Sequence, residues 1–181
     1  MSRPVPSSPE LRRLRKGPAA HEPIPGIGTI SFSVSCDKNS QEVLDRVVSV
    51  LEIVCAESEK GWSDTADWRT LLPRQFVDSC APEMTSLEAQ QWLQGWRSLS
   101  QAEREADDRI RKWSLSNWIY WLKPSERLWQ WWDASVVDSS HIIVRIAVYS
   151  WPFGCGAIGW LFRGSGAISV EAINLHHADK G

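Results

Sequence analysis

All twelve tryptophans of this 181-residue chain lie between Trp62 and Trp160. A buried indole removes roughly 150–250 Å² from water, which at about 25 cal/mol per Å² is worth on the order of 4–6 kcal/mol before entropy costs. Rings at this density can stabilise one domain of modest size, and they place its core in the Trp-containing segment. We expect most of them in the core and a few at an exposed binding surface, where tryptophan is enriched.

The first 27 residues differ sharply from the rest of the chain, because they hold six of its ten prolines and few large apolar residues. Such a composition disfavours a packed core. We therefore predict a disordered, proline-rich, basic extension over residues 1–27, a single α+β domain over residues 28–167 and a weakly structured tail over residues 168–181.

Charge is unevenly placed along the chain. Residues 1–27 carry a net charge of +3. Since the whole chain carries −2, the remaining 154 residues carry −5. An acidic body disfavours nucleic-acid binding, which depends on a basic patch. It favours a basic protein partner, although solubility alone explains so mild a charge equally well.

The ionisable and sulfur-containing residues show none of the spacings of a known catalytic or metal site. The cysteines form no CxxC pair, the histidines form no HExxH motif, and the serines form no GxSxG motif. We therefore predict no catalytic residue, no metal site and no cofactor. Reduced cysteines, together with the lack of a signal-peptide core or an 18-residue apolar run, favour a cytoplasmic location and no membrane span.

Hydrophobic periodicity predicts a strand followed by several helices. Apolar and polar residues alternate strictly from Thr29 to Cys36, which is typical of a half-buried strand. Asn39 and Glu42 then form a plausible capping pair for an amphipathic helix. The further helices expected span residues 65–72, 73–80 and 113–122, with two more after the capping-box pairs Thr85/Glu88 and Ser100/Glu103.

Residues 128–137 and 141–151 are rich in aromatic and β-branched side chains, and Asp138, Ser139 and Ser140 supply turn chemistry between them. We predict a β-hairpin there and a short helix over residues 155–163. The fold class is thus α+β, with a small antiparallel sheet, formed by the N-terminal strand and the C-terminal hairpin, packed with five to six helices.

The spacing of the tryptophans indicates which of them pack in the core and which could form a binding surface. Five lie at helical spacings that suit a core, namely Trp92, Trp96, Trp118, Trp121 and Trp160. The hairpin is the candidate binding site, because strict alternation places Trp129, Trp131 and Asp133 on one face and Trp132 on the other. A carboxylate beside two indoles could hold a cationic side chain. A solvent-facing aspartate at the strand end is the alternative.

Gly154, Gly156 and Gly159 spell GxGxxG between a predicted strand and a predicted helix. A dinucleotide-binding fold requires further βα units after this motif, and too little chain follows Gly159 to form them. We expect these glycines instead to let the last helix pack closely under Trp151 and Trp160.

The stretch from residue 113 to residue 134 reads WSLSNWIYWLKPSERLWQWWDA, and that from residue 151 to residue 167 reads WPFGCGAIGWLFRGSGA. This pattern resembles small, Trp-rich, uncharacterised bacterial proteins, some of which look like immunity proteins of polymorphic toxin systems. The resemblance covers under a third of the chain and implies a cytosolic, acidic α+β binding module. It carries over no catalytic residue.

The function expected from these observations is a non-enzymatic protein-binding module, such as an immunity-like inhibitor that covers a basic toxin surface. An enzyme acting on a small molecule in a Trp-lined pocket is the first alternative. An accessory or regulatory domain of another protein is the second.

Overall fold

A computed structural model describes residues 8–173 of the chain. In that part it contains one antiparallel sheet of four strands in the order β2-β3-β1-β4. The strands are β1 (Gly28–Ser35), β2 (Trp129–Asp138), β3 (His141–Val148) and β4 (Ser169–Ile173). The helices are α1 (Pro9–Lys16), α2 (Ser40–Glu59), α3 (Trp68–Leu71), α4 (Arg74–Ser79), α5 (Ser86–Ser98), α6 (Gln101–Ile110), α7 (Leu115–Leu122) and α8 (Gly156–Gly164). The α+β class is confirmed, although residues 8–173 contain eight helices rather than about five to six.

The central strand and the long helix carry the core. The alternation predicted for β1 is confirmed, because Phe32, Val34 and Cys36 are buried. Helix α2 contributes an apolar stripe that is also fully buried: Val43, Val47, Val50, Leu51 and Val54. Asn39 is the N-cap residue as predicted, but its side chain makes no capping hydrogen bond.

Most of the predicted elements are confirmed. The hairpin forms with β2 antiparallel to β3, and α8 matches the short helix expected after it. Both capping boxes are present, at Thr85/Glu88 before α5 and at Ser100/Glu103 before α6. In each box the glutamate carboxylate accepts a hydrogen bond from the backbone of the cap residue, at 2.7 Å.

The prediction of a disordered extension is wrong for residues 9–16, which form helix α1. The hydroxyl of Ser8 accepts a hydrogen bond from the backbone N–H of Leu11 at 3.2 Å, and Pro9 occupies the first turn, where no N–H is needed. Leu11 and Leu14 are buried against the body of the protein. Residues 1–7 lie outside the described part of the chain.

The prediction of a weakly structured tail is wrong for Ser169–Ile173, which form β4. This strand pairs antiparallel with β1, with Val170 opposite Val34. None of its five residues is buried, so this short edge strand lacks the buried alternation by which β1 was predicted. Residues 174–181 lie outside the described part of the chain.

Helix α1 covers the sheet edge formed by β2. The backbone N–H of Trp131 donates to the Glu10 carboxylate at 2.6 Å, and its carbonyl accepts from Arg13 Nε at 2.8 Å. Glu10 also pairs with Arg127 through contacts of 2.6 and 3.1 Å, and the side chains of both are only 8% exposed. The edge groups of Trp131 are thus satisfied by side chains of α1 rather than by water.

This arrangement predicts that Glu10→Ala destabilises the protein far more than Glu52→Ala. Removing Glu10 leaves the buried Arg127 guanidinium without a counter-charge, which costs about 3–5 kcal/mol. Glu52 of α2 pairs with Arg15 of α1 at 2.7 Å, but both side chains are solvent-accessible, so its loss should cost under about 1 kcal/mol. Urea unfolding followed by circular dichroism measures both free energies. Similar small losses in the two variants would contradict the buried contact.

Candidate functional site: a tryptophan-lined cavity

Of the four candidate binding residues of the hairpin, three are buried and the fourth forms an ion pair with a neighbouring strand. Trp129, Trp131 and Trp132 are all buried. The ring of Trp131 stacks on Phe162 of α8, with centroids 6.4 Å apart. Asp133 pairs with Arg145 of β3, with Arg145 Nε 2.7 Å from Oδ1. These four residues therefore form no exposed indole face, and of the four only Trp129 lines the cavity described below.

A β-bulge at Trp132 explains why strict alternation failed. Trp131 lies opposite Ile146, whereas Asp133 lies opposite Arg145, so the register shifts by one residue between them. Cross-strand partners share a face of the sheet, and neighbours along β3 point to opposite faces. Asp133 consequently lies on the face opposite to that of Trp131, and no carboxylate continues the indole face.

Five tryptophans from four parts of the chain line a cavity of about 370 Å³. Helix α5 contributes Trp92 and Trp96, α7 contributes Trp121, and β2 contributes Trp129 from its buried end. Trp113 lies just before α7. Phe153, which precedes α8, and Gly156 and Ala157, at the start of α8, also line the cavity.

Three of the five tryptophans expected in the core are not buried. Trp92 and Trp96 are half-buried, although their rings stack with centroids 6.0 Å apart. Trp121 is 44% exposed and packs edge-on against Tyr120. The expectation is confirmed for Trp118 and Trp160, which are buried. Helical spacing placed Trp92 and Trp96 on one face of α5, and Trp121 on a separate helix, α7. It did not show that the three rings line one cavity.

The polar lining of the cavity consists of Asp108, Arg111, Asn117 and Glu126. The guanidinium of Arg111 lies 4.5 Å from the ring centroid of Trp92 and 5.0 Å from that of Trp113. The same group pairs with the carboxylates of Asp107 and Asp108, both at 3.1 Å. Arg111 therefore connects α6 to the indoles of α5 and of the segment before α7. Arg111 is not among the binding residues predicted from the sequence.

Helix α5 is attached to the body mainly through these rings. None of the residues Ser86–Ser98 is buried. The guanidinium of Arg104 lies 4.5 Å from the ring centroid of Trp96 and donates to the carbonyl of that residue at 3.1 Å. Cation–π contacts and partial burial thus hold α5 over the cavity with little apolar packing.

One glycine of the GxGxxG motif shapes the cavity wall. A Cβ on Gly156 would lie 2.6 Å from the ring of Trp113, whereas Gly154 and Gly159 have no neighbour within 4 Å of that position. The predicted close packing is confirmed at Gly156, but its partner is Trp113 rather than Trp151 or Trp160. The strands of the described sheet are antiparallel throughout, so the motif lies outside any βαβ unit.

The cysteines and the described histidines are not among the residues that line this cavity. Burial raises the pKa of the Cys55 thiol to about 12 and that of Cys155 to about 11, so neither is ionised at neutral pH. His141 bonds to Asp138 at the hairpin turn, at 3.0 Å. Within residues 8–173 no group of three side chains could hold a metal ion. His176 and His177 lie outside that range.

A larger cavity of about 670 Å³ lies beside α1, but its charged groups satisfy one another. Glu22 pairs with Arg13 at 2.9 Å and with Arg12 at 2.5 Å. A hydrogen bond from the backbone N–H of Ala19 also keeps the pKa of Glu22 below its usual range. These contacts attach the loop after α1 to that helix and pair three of the charged residues that line this cavity.

Comparison of the chain with protein-family models, curated proteins and solved structures finds no match. Among the helices of residues 8–173, none is both long and apolar enough to cross a membrane.

The packing at the cavity wall predicts opposite effects for two substitutions in α8. Gly156→Ala forces a methyl group against the Trp113 ring and should destabilise the protein by about 1–3 kcal/mol. Gly159→Ala adds a methyl group in open space in the middle of the same helix and should stabilise it by about 0.5–1 kcal/mol. Thermal unfolding of the two variants measures the difference. A loss of stability in both, or in neither, would show that the wall is packed differently.

Proposed function

We propose that the chain is a non-enzymatic protein-binding module whose partner inserts a side chain into the Trp-lined cavity. The observation that supports this most strongly is the convergence of five indoles on one cavity that is open to solvent. Its apolar rim is exposed as well, because Leu93, Trp121 and Leu128 are 37%, 44% and 42% exposed.

An exposed apolar rim favours an interface over a purely structural role. Exposed apolar side chains that lie together around a cavity mark interaction sites in many soluble proteins. Tryptophan is also among the residues that contribute most binding energy when a partner covers them. The rim and the cavity together provide an anchor pocket and a surrounding contact area.

The chemistry of the lining supports binding rather than catalysis. Of its charged groups, Asp108 and Arg111 pair with each other at 3.1 Å. The part of the chain that the structure describes places no histidine, cysteine or serine in this lining. A nucleophile and the base that would activate it are the usual requirements of hydrolytic or transfer reactions.

The acidic body favours a basic partner. An immunity-like inhibitor that covers a basic toxin surface is the form of this module that the sequence pattern favours. In this proposal the contact surface is the rim of the cavity rather than the hairpin.

A small-molecule binding protein is the second candidate, and the size of the cavity favours it. The volume of about 370 Å³ falls at the lower end of the range of small-ligand pockets. Under this alternative, the rim would remain exposed when the ligand is bound.

Photo-crosslinking in the producing cells tests the protein-binding proposal. A photoreactive amino acid in place of Trp121 should capture one defined protein, whereas the same amino acid in place of Tyr149 should not. Tyr149 is the matched control because it is similarly exposed, at 41%, but lines the cavity beside α1 rather than the Trp-lined cavity.

The captured protein is then purified and its affinity for the chain is measured. Trp121→Ala should weaken binding by about 30-fold, as expected for an aromatic anchor, and Tyr149→Ala should leave binding unchanged. Equal effects of the two substitutions would contradict an interface at the cavity. A bound small molecule, without any crosslinked protein, would favour the second candidate.

A further inference from the structure

We propose that the group taken up by the cavity is an arginine side chain of the partner, held between the carboxylate of Glu126 and the indole of Trp121. This inference rests on the proposed function. It adds the chemistry of the ligand, which the shape of the cavity alone does not specify.

Glu126 is the unmatched charge of the lining. Asp108 and Arg111, the other two charged groups there, neutralise each other. Among the described residues no cation pairs with Glu126, whose carboxylate accepts only a long hydrogen bond from Ser125, at 3.3 Å. Lys123 lies nearby in the chain but pairs with Asp64 at 2.6 Å. The cavity therefore carries one free negative charge, which a cationic ligand would complement.

The cavity already accommodates one guanidinium group on its rings. Arg111 stacks against Trp92 and Trp113 while its nitrogens pair with carboxylates. The combination of an indole face and a carboxylate is therefore formed once within this site by the chain's own residues. Trp121 and Glu126, which also line the cavity, supply an indole and a carboxylate that are not used in this way.

Trp121 is the indole best placed to receive a further cation. Arg104 and Arg127 lie over Trp96 and Trp129, and neither arginine lines the cavity. In the described part of the chain no cation lies over Trp121. Its ring is also the most exposed of the five that line the site.

Arginine fits these features better than lysine does. Its planar guanidinium is weakly hydrated, stacks on aromatic rings and pairs with a carboxylate through two parallel hydrogen bonds. A lysine ammonium is strongly hydrated and would lose more on entering an apolar cavity. An uncharged side chain would leave Glu126 desolvated without a partner, which is costly.

A pair of blocked amino acids tests this chemistry without knowledge of the partner. Nα-acetyl-arginine methylamide and its citrulline counterpart have nearly the same shape, but only the first carries a charge. Binding of each to the full chain is followed by two-dimensional NMR, through the indole N–H signals of the cavity tryptophans. We expect the arginine compound to bind about tenfold more tightly, and the lysine compound to bind more weakly than arginine.

The variant Glu126→Gln should abolish this preference for arginine over citrulline. Glu105→Gln is the matched control, because Glu105 is exposed on α6 and does not line the cavity. It should leave the preference unchanged, although both variants lose one negative charge.

The outcomes separate this inference from the proposed function. Equal binding of the arginine and citrulline compounds, or tighter binding of citrulline, would overturn the inference and leave the cavity as a site for uncharged groups. Equal losses of preference in Glu126→Gln and Glu105→Gln would show that only the overall charge matters, which also overturns it. A lack of binding by any compound at millimolar concentration overturns it as well, whereas the interface is decided by the crosslinking experiment.

Discussion

The contact between helix α1 and the edge strand β2 determines whether the tryptophans of β2 are buried or accessible. Trp131 turns its backbone N–H and carbonyl outward from the sheet, and Glu10 and Arg13 satisfy them at 2.6 and 2.8 Å. An open edge of this kind is a template for unwanted pairing unless it is covered. Because α1 covers it, Trp131 and Trp132 belong to the core. The cavity is instead lined by accessible rings such as that of Trp121.

The two groups of indoles are held by different forces. Those of β2 are buried with the aliphatic residues of the sheet and with α8, so their removal should affect stability first. Those of α5 are half-buried and are held by the guanidinium groups of Arg104 and Arg111. A helix with so little apolar burial belongs to the least stable part of a fold. Under the proposed function, such a region would adjust as a partner side chain enters beneath it.

Periodicity predicted the parts of this fold that depend on local patterns. The alternation of β1, the two capping boxes and the hairpin turn each follow from residues close together in the chain. Helix α1 was missed because its attachment depends on buried charges, and the partner of Glu10 lies at Arg127, 117 residues away. The position of Asp133 was wrong because one extra residue at Trp132 shifts the register. The residues that line the cavity were not predicted, because Trp92, Trp113 and Trp129 are far apart in the chain and no local pattern connects them.

The most direct test of this account is the rate of hydrogen exchange at the backbone amide of Trp131. The N–H is bonded to a buried carboxylate, so we expect it to exchange as slowly as the amides of central strand β1, such as that of Val34. NMR of the uniformly labelled chain after transfer to deuterated water measures both rates. Exchange of Trp131 as fast as that of the exposed residues of α5 would show that the edge is open, and the division of the tryptophans would then be wrong.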